Sequence, residues 1–159
     1  MSTGLKANAD GSAAIQVGGS DAISITSGLA ATFPSNVSVT GNVSLTGATS
    51  TLGYGTGSGG AVTQLTSRTT AVTLNKSTGA ITMFTAAGTA TWQTFTVNNS
   101  LVANTDNIVI NIAGGDSNIY GIHVRDVNSG SFGIAFAALS GTASDAPRIN
   151  FAVIKGVTS

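Results

Sequence analysis

The sequence predicts an all-β protein, and three observations lead to that expectation. Charged residues make up only 8% of the 159-residue chain, and every acidic residue is Asp. A typical soluble domain carries about 25% charge. Glu, Lys and Leu, which dress helix surfaces, give way to Thr, Ser, Gly, Asn and Val. Thr and Val are stiff at χ1 and favour strands, whereas Gly, Asn and Ser favour turns. The second observation is alternation of apolar and polar residues with period two in several runs after residue 60. The third is that clusters of turn residues separate those runs at intervals of about ten residues, as in a β-sandwich or barrel.

The N-terminal region, residues 1–52, contains Phe33 as its only aromatic and is repetitive. Val37-Ser38-Val39-Thr40-Gly41-Asn42 is followed by Val43-Ser44-Leu45-Thr46-Gly47-Ala48, one six-residue pattern seen twice. Ile15-Gln16-Val17-Gly18-Gly19 and Ile23-Ser24-Ile25-Thr26 are looser copies. Each unit offers a short strand and a turn, too little to bury an apolar face alone. Such repeats become ordered by stacking or by winding around identical chains. The expectation is a fibrous β-stalk that serves as the attachment region.

Residues 53–60 are Gly-rich and read as a hinge. Gly55-Thr56-Gly57-Ser58-Gly59-Gly60 also matches G-x-G-x-x-G. A dinucleotide site needs a helix after that motif to meet the pyrophosphate. Ala61-Val62-Thr63-Gln64-Leu65-Thr66 reads as strand instead.

Residues 61–159 carry Trp92, Phe95, Tyr120, Phe132, Phe136 and Phe151, the large side chains a core needs. Phe95 and Val97 share one face of their run, as do Ile108, Ile110 and Ile112. Tyr120, Ile122 and Val124 are in step, then Phe132, Ile134 and Phe136, then Ile149, Phe151 and Val153. Asn98-Asn99-Ser100, Gly114-Gly115-Asp116, Asn128-Ser129-Gly130 and Ser144-Asp145-Ala146-Pro147 punctuate them. The expected architecture is an antiparallel β-sandwich or jelly-roll-like head of roughly eight or nine strands. Phe95, Ile110, Ile134, Phe136 and Phe151 are expected in its core.

Little in the chain suggests chemistry. There is no cysteine, which removes disulfides, thiolate metal sites and Cys nucleophiles. His123, the one histidine, lies between Ile122 and Val124 and so on the more polar face of its strand. One His without Glu or Cys does not build the usual zinc site, and no Ser sits in a G-x-S-x-G elbow to join it in a triad. Asp106, Asp116 and Asp126 recur every ten residues. That matches the turn spacing better than a paired-carboxylate glycosidase site or a dense Ca²⁺ motif. Arg68, Arg125 and Arg148 must be paired wherever they are buried. Arg125 with Asp126 and Asp145 with Arg148 are the local candidates, within or between chains, and Arg68 is expected to pair across subunits. The expectation is therefore no enzyme, no catalytic residues, no cofactor and no metal.

Six basic and six acidic residues cancel, and no Lys/Arg cluster exists to meet phosphates, so nucleic acid is not an expected partner. No run of about 18 apolar residues exists to span a membrane. Met1-Ser2-Thr3-Gly4-Leu5-Lys6 lacks the layout of a secretory signal, so synthesis in the cytoplasm is expected. A surface this poor in charge points to burial against copies of itself.

Four separated stretches carry a family likeness. They are Leu52–Thr70, with Gly53-Tyr54-Gly55-Thr56-Gly57 and Val62-Thr63-Gln64; Val72-Thr73-Leu74-Asn75-Lys76 through Thr82; Phe95-Thr96-Val97-Asn98-Asn99-Ser100; and Asp145-Ala146-Pro147-Arg148-Ile149-Asn150-Phe151. In this order they resemble a segment of bacteriophage virion proteins over roughly residues 52–155. The resemblance implies a trimeric β-structured head fibre, capsid decoration protein or fibre tip on the exterior of a virion, assembled in the bacterial cytoplasm. It implies the major capsid protein or another virion protein as partner of the N-terminal region, and it carries no catalytic residues. A tail-fibre tip or adhesin that binds a host glycan is the alternative, with Tyr54, Trp92 or Tyr120 stacking on sugar. A hydrolytic depolymerase would want a carboxylate pair, which a chain without Glu is poorly equipped to supply.

Overall fold

The computed structural model describes the strands Gly4–Ala7, Ala13–Val17 and Ser20–Asp21 and then residues 37–157. The repeat expected at Ile23–Thr26 lies outside the described residues, as does Phe33. The chain divides into two units, Met1–Ser50 and Thr51–Ser159. Every regular element described is a strand.

In the first unit β1 (Gly4–Ala7), β2 (Ala13–Val17) and β3 (Ser20–Asp21) form an antiparallel sheet in sequence order. The loose copy Ile15-Gln16-Val17 thus falls within a strand. The two regular repeats are irregular backbone that bends at Thr40-Gly41 and turns from Gly47. Neither regular repeat forms the short strand expected of it, since no regular strand lies between Ser20–Asp21 and Ala61–Thr63 among the described residues.

The second unit holds ten strands. They are β4 (Ala61–Thr63), β5 (Val72–Thr73), β6 (Thr78–Thr82), β7 (Ala86–Ala87), β8 (Gln93–Asn98), β9 (Asn107–Ile112), β10 (Ile119–Asn128), β11 (Ser131–Ser140), β12 (Ser144–Asp145) and β13 (Arg148–Ile154). One four-stranded sheet has the order β10-β11-β8-β5, the other β4-β6-β13-β9, and β12 pairs with β7 in a small third sheet. Pairing is antiparallel except at two edges, where β4 runs parallel to β6 and β5 parallel to β8. This corrects the expectation of a purely antiparallel head. From β4 to β8 the chain crosses back and forth between the two large sheets. A strand re-entering a sheet after such a crossover can run parallel to its neighbour, which a two-residue hairpin forbids.

Inward residues of both sheets share one core of Val72, Ile81, Met83, Phe95, Val97, Val102, Phe132, Ile134, Phe136, Ile149, Phe151 and Val153. Phe132 of β11 meets Phe151 of β13 edge-on at 5.4 Å between ring centroids, which joins the sheets. Four of the five expected core residues are fully buried, and Ile110 packs half-buried against them on β9. Alternation holds along β8, β9 and β13 and fails in an informative way on β11. There Gly133, Ala135 and Ala137 are buried as well, so this strand is covered on both faces. On β10 the alternation breaks where register shifts between Arg125 and Asn128, with Asp126 at φ 52°. Asp tolerates that left-handed geometry better than most residues, and the bulge turns the strand end.

Candidate functional site

The densest polar cluster grows from the loop between β4 and β5. Gln64 is buried, donates through Nε2 to the Arg68 and Thr70 carbonyls at 3.1 and 2.8 Å, and accepts at Oε1 from Phe84 N at 3.2 Å. These bonds curl the loop and send Arg68 into the head. Its Nε donates to the Phe84 carbonyl at 3.1 Å and its Nη1 to the Tyr120 hydroxyl at 2.6 Å. Its Nη2 donates to the carbonyls of Ala86 and Asp145, at 2.5 and 2.6 Å, and to Asp145 Oδ1 at 2.5 Å. The side chains of Arg68 and Asp145 are 4% and 1% exposed, so this is a buried ion pair.

Asp145 accepts further bonds from Ser117 N at 2.7 Å, Asn118 N at 3.2 Å, Asn118 Nδ2 at 2.8 Å and the Tyr120 hydroxyl at 2.7 Å. Burial pushes its pKa up, but the bonds from Tyr120, Ser117, Arg68 and Asn118 together hold the carboxyl below the usual carboxylate range. Tyr120 moves the other way: burial and its bond to Asp145 push the phenol up. Asn118 in turn spans to Ala143, donating to its carbonyl at 2.8 Å and accepting from its N–H at 3.0 Å. A Cβ at Gly141, which sits at φ +93°, would overlap that Asn118 amide. An ionised carboxylate and a protonated phenol, each committed to partners inside the chain, leave no group poised to take or give a proton near neutral pH. The cluster is built to hold β10, β12, β7 and the β4–β5 loop together.

This overturns two expected pairings. Arg68 pairs within its own chain, and the partner of Asp145 is Arg68 rather than Arg148. The neighbouring Ile149 faces the core, so Arg148 turns outward, where its Nη2 donates to the Ala113 carbonyl at 2.8 Å. Arg125 does meet Asp126 at 3.2 Å, in solvent, where such a pair contributes little.

The three evenly spaced aspartates keep separate company. Asp116 lies exposed in the loop before β10, and Asp126 sits at the β10 bulge. Asp106 caps its own turn by accepting from Ala103 N at 2.8 Å, and takes Gly156 N at 3.0 Å and Lys155 Nζ at 2.6 Å. The Ala103 N–H, then the Lys155 ammonium, lower its pKa to about 2. A depressed carboxylate stabilises the fold above its unfolded value of 3.8 and loses that contribution as pH falls toward 2. Thermal melts of the native protein should therefore fall as pH drops from about 4 to 2, and Asp145 acts with the same sign. Asp106→Asn should flatten that part of the profile; an unchanged slope would show that Asp106 does not anchor the strand end. No group of three or more His, Cys, Asp or Glu side chains that could hold a metal occurs among the described residues.

His123 lies exposed on the outer face of β10, as the alternation required. Its ring is tilted against Trp92 at 5.0 Å. Ala137 pairs with Gly121 across β11 and β10, and the indole reaches this strip of small residues. A Cβ at Gly121 would come within 3.1 Å of it. Trp92 is still 51% exposed. Tyr54 is half-exposed and its hydroxyl donates to the Val153 carbonyl. Tyr120, expected as a third stacking aromatic, is half-buried, gives its hydroxyl to the Arg68 cluster and has the Arg68 guanidinium over its ring at 5.6 Å. The Gly-rich segment runs beside β6, with Ala80 N donating to Gly60 O at 2.9 Å and Lys76 Nζ to Gly57 O at 3.0 Å.

Beside the Arg68 cluster lies a cavity of about 250 Å³, walled by Ser67, Thr69, Phe84, Thr89 and Gln93. Sequence reasoning missed Gln64, Asn118 and Gln93, since lone amides in a chain rich in Asn and Thr carry no spacing that sets them apart. No family model, curated protein or solved structure matches the chain.

Proposed function

We propose that the chain is a structural component of a phage virion, a head fibre or capsid decoration protein that trimerises and attaches through its N-terminal region. The head reads as a β-sandwich in which the two four-stranded sheets are the layers. The observation behind this reading is the run of exposed apolar side chains in the repeats. Val37, Val39, Val43 and Leu45 are 59, 50, 67 and 49% exposed, and Leu52 is 87% exposed. Ordering a segment costs about 1–2 kcal/mol per residue in backbone entropy. An irregular segment with no strand partner offsets that cost only when another surface covers its apolar residues. Identical copies supply such a surface in register, because a six-residue repeat on parallel chains places like units side by side. The scarcity of charge and the internally saturated Arg68 cluster fit an assembly protein better than an enzyme.

Multi-angle light scattering should return the mass of three chains. Val39→Asp with Val43→Asp should release monomers, since three added pairs of carboxylates would crowd one axis. A trimer that survives both changes would remove the repeats from the assembly. Deleting residues 2–50 should leave a folded head that no longer co-sediments with particles; full occupancy by the truncated form would place the anchor in the head.

A second reading, a fibre tip or adhesin that binds host glycan, is favoured by Trp92, which is backed by His123 and keeps about half its surface open. A glycan array probed with native protein and with Trp92→Ala separates the two readings.

A further inference from the structure

We propose that the cavity beside the Arg68 cluster is a binding site for one neutral sugar ring. The inference deepens the glycan-binding reading by adding a site away from the Trp92 platform, and it does not depend on where the protein sits on a particle. At about 250 Å³ the cavity falls just below the ~300–1,000 Å³ of pockets that take drug-sized ligands. That volume suits a single ring rather than an extended molecule. Ala86 and Ala87 form part of the wall, and any larger side chain there would narrow it.

The lining fixes the chemistry. Gln93, on the core-facing side of β8 opposite Phe136, contributes an amide with no hydrogen-bond partner among the described residues. An amide offers a donor and an acceptor side by side, the pair that adjacent hydroxyls of a sugar satisfy. Ser67, Thr69 and Thr89 add hydroxyls: those of Ser67 and Thr69 bond each other at 3.1 Å, and Thr89 Oγ1 accepts from Thr91 N at 3.3 Å, which leaves its own proton to donate. Phe84 supplies an apolar wall for the C–H face of a ring. Arg68 also borders the cavity, and a free guanidinium would argue for an anion. Its charge is instead matched by Asp145, and its donors go to Phe84, Ala86, Tyr120 and Asp145. With that cation neutralised and no other charged side chain in the lining, an uncharged polyol fits better than a phosphate or a carboxylate.

The test is to follow the Gln93 side-chain amide of the full-length protein by nitrogen-edited NMR. The probes are methyl α-glucopyranoside, methyl β-galactopyranoside and N-acetylglucosamine, with sodium sulfate as the anionic probe. At least one sugar should shift that signal saturably, with a Kd on the order of 1 mM for a ligand of this size. Gln93→Ala removes that reporter, so its affinity is read from the backbone amides of Ala87 and Thr89, and the same sugar should bind about tenfold more weakly, the loss of roughly one hydrogen bond. Ala87→Leu, at an exposed position of the wall, should also weaken it while leaving Gln93 observable. Sugar binding that shifts only Trp92 and His123 would overturn the cavity while leaving the adhesin reading intact. A response to sulfate alone, or none to any probe, would overturn it as well.

Discussion

Arg68→Ala is expected to destabilise the head by about 3–5 kcal/mol, the cost of breaking a buried ion pair by removing one partner. Asp145 would remain ionised and buried, and the carbonyls of Phe84 and Ala86 would lose their donor. A domain of this size has a stability of only about 5–15 kcal/mol, so the variant should be close to unfolding. The double variant Arg68→Ala with Asp145→Asn should recover part of the loss, because the uncompensated charge is gone while an amide can still accept from Ser117 or Asn118. Urea unfolding at neutral pH, with fluorescence of Trp92 as the probe, reads both changes from the midpoint at constant slope. A single variant within about 1 kcal/mol of the native protein would mean that water replaces the guanidinium at little cost and that the cluster is not closed.

How much of this was legible in the sequence depends on the range of the interactions. Period-two alternation is a local property, and it placed Phe95, Ile134, Phe136 and Phe151 in the core and His123 outside it. The same logic identified Asp106, Asp116 and Asp126 as turn and strand-end residues. It could not find the partner of Arg68, which lies 77 positions away, because nothing local distinguishes Asp145 from the other aspartates. The proximity of Arg148 made a local pair attractive, and strand alternation at Ile149 then turned that arginine outward. Parallel pairing of β4 and β5 was hidden for a related reason: strand direction follows from the route between sheets, and short runs such as Val72-Thr73 carry no mark of it. The cavity was invisible because it depends on the smallness of Ala86 and Ala87 as much as on the polar groups around them.

β11 shows how one strand can be buried twice with different energetic weight on each face. Its inner face carries Phe132, Ile134 and Phe136, while its outer face carries Gly133, Ala135 and Ala137. Small residues suit this face: a Cβ at Gly133 would come within 2.8 Å of the Arg125 carbonyl, and on the neighbouring strand one at Gly121 would come within 3.1 Å of the Trp92 indole. Trp92→Ala should therefore cost only about 1 kcal/mol, since much of the indole is already in water. Phe136 presents the opposite case. Its ring is 1% exposed and lies 6.1 Å from that of Phe95, on a strand hydrogen-bonded on both sides to β10 and β8. Backbone pairing on both edges restrains the strand from collapsing into a void left by the ring. Phe136→Ala should accordingly cost about 3–5 kcal/mol per chain, with the cavity contribution near its full value. Measured against Trp92→Ala by urea unfolding followed with far-ultraviolet circular dichroism, which does not need the indole, the two variants rank the faces of one strand. A Phe136→Ala loss below 1 kcal/mol, or one no larger than that of Trp92→Ala, would show that the inner face of β11 does not carry the core.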